Sequence, residues 1–285
     1  MVMPPLWQLT PLGLLALVVG IAHEVGLRRL ALRQTPEHRR ETRRRSLAFY
    51  AGLVVLISVV SGPLERWSVS WLTVHMLVHV VEMFYIPPLL IVGGPWVPLL
   101  FALPVDRRRA LLRIYYRSKP LRWVRGLASL LHSPITAVVL FNAVMVLWHV
   151  PVIFNWALLH DWALNWLMAP SFVLTGLLFW RVILPARPSP PRGSTRVQIA
   201  AIVVTAFEML VLAMALAIFT KTPWYSVMVL LHGPGAALRD QRWAAGILWV
   251  CGDFWAMPAL VLVGYRVYGK EGGVSAAFER ALGRA

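Results

Sequence analysis

The chain has 285 residues, 59% of them hydrophobic, and a mean hydropathy of +0.67. A water-soluble domain of that length has too little interior to hide so much apolar surface, so the composition excludes a soluble globule and points to a polytopic membrane protein. The net charge of +16 does not denote a nucleic-acid partner, because the basic residues sit in short segments between apolar runs and no soluble domain remains to present such a surface.

Seven runs are long enough to span a bilayer: Leu6–Leu27, Leu47–Leu64, Trp71–Leu90, Ile135–Phe154, Leu164–Leu184, Val197–Phe219 and Trp243–Tyr265. They are continuous rather than alternating, which predicts helices and argues against a β-barrel. The expected fold is all-α, a single integral membrane domain over residues 1–285 with seven transmembrane helices. Of the 28 Lys and Arg residues, the segments on one side hold Arg66, Lys221, Arg239 and Arg242, and nearly all the rest fall on the other. The positive-inside rule then predicts a multi-pass protein of the plasma membrane, with its N-terminus outside and its C-terminus cytoplasmic.

The first run has no basic residue before it and no clear small-residue cleavage site, so it reads as a retained span. A basic loop follows, suited to orientation and to anionic lipid head groups. His23, Glu24 and His38 lie toward this inner side.

The third span carries His75, His79 and Glu82, whose offsets of four and seven residues place them on one helical face with Met83 beside them. Ionisable groups at membrane depth cost roughly 2.5–3.5 kcal/mol or more unless they find partners, so this stripe is the first candidate site. Pro87-Pro88 removes two backbone donors and predicts a break in the third helix there, reinforced by the Gly93-Gly94-Pro95 turn. Beyond it, residues near 107–132 mix Arg with Leu, Tyr and Trp at helical spacing, the pattern of cytoplasmic helices lying on the membrane surface and split at Pro120.

The fourth span brings Trp148 and His149 to the outer end, at about the depth of His75, and the outer loop after it holds His160 and Asp161. Glu208 lies near the middle of the sixth span and Asp253 near the middle of the seventh. Between them an outer segment with an apolar centre carries His232, Asp240 and Gln241. The lone cysteine, Cys251, excludes an intrachain disulfide and reads as a small buried hydrophobe.

Imidazoles four residues apart on a helix can chelate one metal ion, so His75 and His79 are the leading metal ligands, with Glu82, His149 and the more remote His160 as further candidates. Met76 and Met83 nearby favour copper over harder ions, because thioether and imidazole suit soft metals. A purely structural reading gives these side chains inter-helix hydrogen bonds, worth only about 0.6–2 kcal/mol each in a membrane. Glu82, Glu208 and Asp253 fit either such bonds or a proton or cation route.

Several pieces in order resemble the multi-span CtaG-type cytochrome c oxidase assembly factors linked to the caa-type oxidase. They are HMLVH (75–79), PPLLIVGGP (87–95), WHVP (148–151), TGLLFW (175–180), Pro223 with Tyr225, and LRDQRWAAGILW (238–249), spread from the third span to the seventh. The resemblance implies a seven-helix plasma-membrane protein that helps mature cytochrome c oxidase at the stage of copper insertion, with a subunit of that oxidase as partner besides the lipid bilayer. Two departures bear on the site. Family members carry a histidine pair where this chain has Asn165 and Ala169, and some carry a histidine near Glu208, which implies a thinner or different site here.

The expected function is a non-catalytic assembly factor that handles copper on the outer side of the membrane. Two other classes use the same residues. One is a membrane oxidoreductase with haem between His79 and His149 or with a histidine-bound metal. The other is a cation- or proton-linked transporter with Glu82, Glu208 and Asp253 as its relay. The sequence leaves a monomer and a homodimer equally open.

Overall fold

The computed structural model describes residues 7–186 and 189–271, without the side chains of residues 251–253 and 269–271. Thr10 caps α1 (Pro11–Ala31), its hydroxyl accepting from the Gly13 amide, and its own amide donates to Ser61 Oγ at the end of α2 (Pro36–Ser61). Thr35 caps α2 in the same way through the His38 amide. Nearer the α1–α2 loop these helices are tied by Tyr50, whose hydroxyl donates to Glu24 at 2.9 Å and lies 3.1 Å from His23 Nδ1. His23 and Glu24 therefore serve helix pairing.

After the short α3 (Pro63–Ser68), the third span runs continuously over Leu72–Val92 as α4 (Leu72–Val80), a π-helical turn (Val81–Tyr85) and α5 (Ile86–Val92). The expected interruption is present but takes another form. The helix widens for five residues before Pro87 and resumes, then ends at Gly93-Gly94, where Gly94 takes φ +63°. The chain turns back into α6 (Trp96–Ala102), which packs on α1 so closely that a Cβ at Gly26 would strike the Pro98 carbonyl.

Two surface helices follow, α7 (Val105–Arg117) and α8 (Arg122–His132), neither with a buried residue. Helices were expected near 107–132, and these two occupy that stretch with the turn Lys119–Leu121 at Pro120 between them. The segment Lys119–His132 meets α9 (Pro134–His149) at 80°. The fourth span was expected to reach Phe154; it stops at His149 because Val150, preceding Pro151, is extended at φ −64°, ψ 122°. Its 16 residues reach about 24 Å, short of a typical ~30 Å hydrocarbon core. The chain then re-enters helix as α10 (Pro151–Leu158).

The fifth span, residues 161–183, comprises α11 (Asp161–Ala163), a second π turn (Leu164–Met168) and α12 (Ala169–Ile183). Both π turns end two residues before a proline, Pro87 and Pro170, so each absorbs the donor its proline lacks. Ser194 caps α13 (Thr195–Ala217); α14 (Ser226–His232) folds back over the bundle, burying Val227 and Met228, and ends at Gly233 with φ +75°. The last helix is α15 (Pro234–Glu271). Among the described residues six helices are long and apolar enough to cross a membrane, and the bent α8–α9 pair makes seven when counted as one broken span.

The larger core joins α4, α9, α10 and α12 to α15 around Phe84, Phe141, Phe179 and Trp255. A smaller one joins α1, α2 and α5 around Phe49, Leu56 and Ile86. Large apolar side chains also cover the outside, among them Val18 and Ile21 of α1, Val204 and Phe207 of α13 and Phe254 and Val261 of α15. Helices that are apolar all round belong in lipid.

Candidate metal centre

The N-terminus of α4 lacks a cap of its own, since Trp71 precedes it without a side-chain hydrogen bond. Asp240 of α15 supplies one from 168 residues away: its carboxylate accepts from the Leu72 amide at 2.6 Å, the Thr73 amide at 3.2 Å and the Thr73 hydroxyl at 2.5 Å. His232 donates from Nε2 to the Ser70 carbonyl at 2.6 Å and stacks on Trp71 with ring centres 4.1 Å apart. The segment from α14 into α15 thus fixes the height and rotation of the histidine-bearing helix.

The other end of α4 is fixed by α12. Pro87 has no N–H for the Met83 carbonyl, and Trp180 fills the vacancy, its indole nitrogen donating to that oxygen at 3.1 Å. Gly176, one turn earlier, lets α12 come close: a Cβ there would lie 2.7 Å from the Pro87 ring and 3.0 Å from the Met83 carbonyl oxygen. Two segments quoted above, PPLLIVGGP and TGLLFW, are therefore two halves of one contact.

Between these anchors the stripe closes on itself. His75 Nε2 and His79 Nε2 are 2.6 Å apart, with ring centres 4.2 Å apart and nearly perpendicular. His75 Nδ1 donates to the Ser68 carbonyl at 3.2 Å, and His79 Nδ1 lies 3.1 Å from Glu82 Oε2. All three side chains are buried, Glu82 completely, and its Oε1 has no hydrogen-bond partner. A carbonyl only accepts, so the His75 hydrogen sits on Nδ1 and its Nε2 offers a lone pair. Two arrangements satisfy the pair. Either His79 Nε2–H donates to His75, with Glu82 presenting a hydroxyl to His79 Nδ1, or both Nε2 lone pairs share a cation, with Glu82 accepting from His79 Nδ1–H. The 2.6 Å separation is that of a hydrogen bond, since two nitrogens each about 2 Å from one ion would subtend only about 80° there; the imidazole donors suit a soft ion once the rings part.

His149 reaches the same region from the C-terminus of α9, where the Pro151 break leaves it, and the Tyr225 hydroxyl donates to its carbonyl at 3.2 Å. Its Nδ1 is 2.6 Å from the Met145 carbonyl and its Nε2 is 3.2 Å from Met76 Sδ. His149 thus faces a thioether and does not complete a third nitrogen on the His75–His79 pair. Among the described residues, no three His, Cys, Asp or Glu side chains converge on one metal position.

The remaining candidates lie apart. His160 is exposed, bonded to the Trp156 carbonyl and flanked by Trp156 and Trp162. Asn165 donates to the Asp161 carbonyl, and Ala169 packs against the smaller core. Glu208 keeps one carboxylate oxygen buried without a partner. The side chains of Cys251 and Asp253 lie outside the described residues. Just beyond the start of the third span, burial and then the charge of Asp161 push the Glu65 carboxyl up to about 7.

Sequence reasoning placed Met76 near the site only as a hint of softness and gave Asp240 no role. The order of residues along α4 puts Met76 beside His75, but which helix face meets His149 is a tertiary fact. Asp240 carries no local signal for a cap on a helix 168 residues earlier.

The family of cytochrome c oxidase caa3 assembly factors, Caa3_CtaG, matches residues 22–270. Among curated relatives, the Uncharacterized protein Mb0105 of Mycobacterium bovis is 30% identical over 152 residues, 52% of this chain and 22% of that protein. The Uncharacterized protein ML1998 of Mycobacterium leprae is 26% identical over 194 residues, 65% of this chain and 28% of that protein. The match thus spans less than a third of the length of these relatives. No solved structure matches. With a family match over most of its length, this chain belongs to the caa3-type cytochrome c oxidase assembly factor family.

Proposed function

We propose that this protein assists the maturation of cytochrome c oxidase by holding a copper ion on the outer side of the plasma membrane and releasing it to an oxidase subunit. The observation that carries the reading is the His75–His79 pair, two buried imidazoles whose Nε2 atoms face each other at 2.6 Å with Glu82 behind them. A site with two nitrogen ligands, rather than the closed four-ligand shell of a structural metal, suits an ion that must be passed on. The ion is cargo and no bond of a substrate is broken, so the role is non-catalytic.

Haem between His79 and His149 is disfavoured by the packing. Phe172 lies 4.3 Å from the His79 ring and Phe154 4.9 Å from the His75 ring, where a macrocycle would need a flat slot.

The test is metal analysis of protein purified without chelator, alongside His79→Ala and the His75→Ala, His79→Ala double variant. The bundle is held by apolar packing, so the variants should accumulate in the membrane near the normal level. They should lose copper and leave a cytochrome c oxidase short of copper that added copper partly restores. A His79→Ala strain with fully metallated, active oxidase sinks the copper reading.

A further inference from the structure

The contact between His149 and Met76 is chemically incomplete as it stands. The His149 Nδ1 is 2.6 Å from the Met145 carbonyl, which can only accept, so the ring hydrogen belongs there. Nε2 then offers a lone pair, and 3.2 Å away is Met76 Sδ, a thioether with no hydrogen to give. The other neutral tautomer moves the conflict, since Nδ1 would then oppose the Met145 oxygen at the shorter distance. A charged imidazolium would resolve both contacts but places a full charge among Phe141, Phe154 and Met145 in the larger core. His149 is 5% exposed and Met76 1%, so bulk water does not resolve them either.

The geometry points to Met76 Sδ and His149 Nε2 as a binding position for a soft monovalent cation, the cuprous ion, adjoining the His75–His79 pair. It rests on the copper reading above and adds an oxidation state, a sulfur ligand and a second position. A thioether paired with an imidazole prefers Cu(I) to zinc and binds magnesium and calcium poorly. Met76 follows His75 directly on α4, about 100° round the helix, so the nitrogen–sulfur pair lies on the face next to the nitrogen pair and is the next set of ligands for an ion leaving it. The ion remains Cu(I), so the exchange needs no electron; as it leaves the nitrogen pair, one proton from water returns to the His79–Glu82 group and restores its metal-free arrangement. Tyr225 anchors the His149 carbonyl and Pro151 ends α9 there, so the receiving imidazole is fixed.

The experiment is an anaerobic titration of the full chain in detergent with Cu(I), against bicinchoninate as competing chelator, together with copper K-edge X-ray absorption. Met76→Leu conserves volume and removes only the sulfur. It should weaken Cu(I) binding by about tenfold or more and abolish a sulfur scatterer seen in the wild type, while leaving zinc affinity unchanged. Met209→Leu, a buried methionine of α13 whose sulfur faces Trp255, should change none of these. A wild-type copper shell of nitrogen and oxygen alone, or equal affinities in wild type and Met76→Leu, overturns the Met76 position and leaves the copper reading standing. An equal loss in Met209→Leu also overturns it, as general loosening of the core. A wild-type protein that binds no Cu(I) overturns the copper reading and this position with it.

Discussion

The Trp180 indole nitrogen donates to the Met83 carbonyl at 3.1 Å, the oxygen that Pro87 leaves without its helical partner. The break in the third span is thereby satisfied from the fifth, and the helix carrying His75 and His79 keeps its course through two prolines.

Removing that donor is expected to cost a modest amount. Trp180→Phe should destabilise the protein by about 0.6–1.7 kcal/mol beyond its lost packing, the range of polar bonds between membrane helices. Gly176→Ala should cost more, about 1–3 kcal/mol, because its Cβ meets the Pro87 ring and the Met83 backbone, neither of which can swing aside. Thermal unfolding of both variants in one detergent gives the ranking, and a milder effect for Gly176→Ala would refute the close approach of the two spans.

Asp240 satisfies three donors at the start of α4. Asp240→Ala leaves the Leu72 and Thr73 amides unpaired in a largely buried position and should destabilise by about 1–3 kcal/mol. Asp240→Asn keeps one carbonyl oxygen and should lose less. If α4 is held at this end, hydrogen exchange of the first-turn amides accelerates in Asp240→Ala but not at α9; uniform acceleration would show general loosening instead.

Glu65 provides a pH test. Its carboxyl is raised to about 7 from 4.5 by burial and by Asp161. Between those values the folded protein holds a proton that the unfolded chain has released, so stability falls as pH rises through the window. The unfolding midpoint should therefore drop between about pH 4.5 and pH 7 in the wild type, and drop less in Glu65→Gln, which is neutral throughout. Parallel curves for the two proteins would mean that Glu65 titrates as an exposed carboxylate.

The orientation rests on the loop asymmetry in Lys and Arg. In a Cys251→Ser background, Asp161→Cys should react with an impermeant thiol reagent added to intact cells, and Thr42→Cys should react only after lysis. The opposite pattern would turn the protein over and put the histidine pair toward the cytoplasm.

Hydropathy, proline positions and loop charge are local properties of the chain. They were enough for the all-helical class, the approximate limits of most spans, the helices after Val105 and the stripe of His75, His79 and Glu82 on one face. Local sequence also carried the interruption near Pro87, but not its form, because whether a freed carbonyl ends a helix or is absorbed depends on a donor such as Trp180 arriving from another span. The fourth span ran long in the sequence reading because apolar residues continue past Val150, whereas the steric demand of Pro151 turns the backbone there.

What only tertiary structure decided is how each helix is rotated about its axis. That rotation turned His149 toward Met76, 73 residues away, rather than onto the nitrogen pair, left His160 exposed among tryptophans, and brought Asp240 to the head of α4. Periodicity names the residues on a face; which faces meet is set by close packing at places such as Gly176 and Gly26, where the absence of a side chain lets two helices touch.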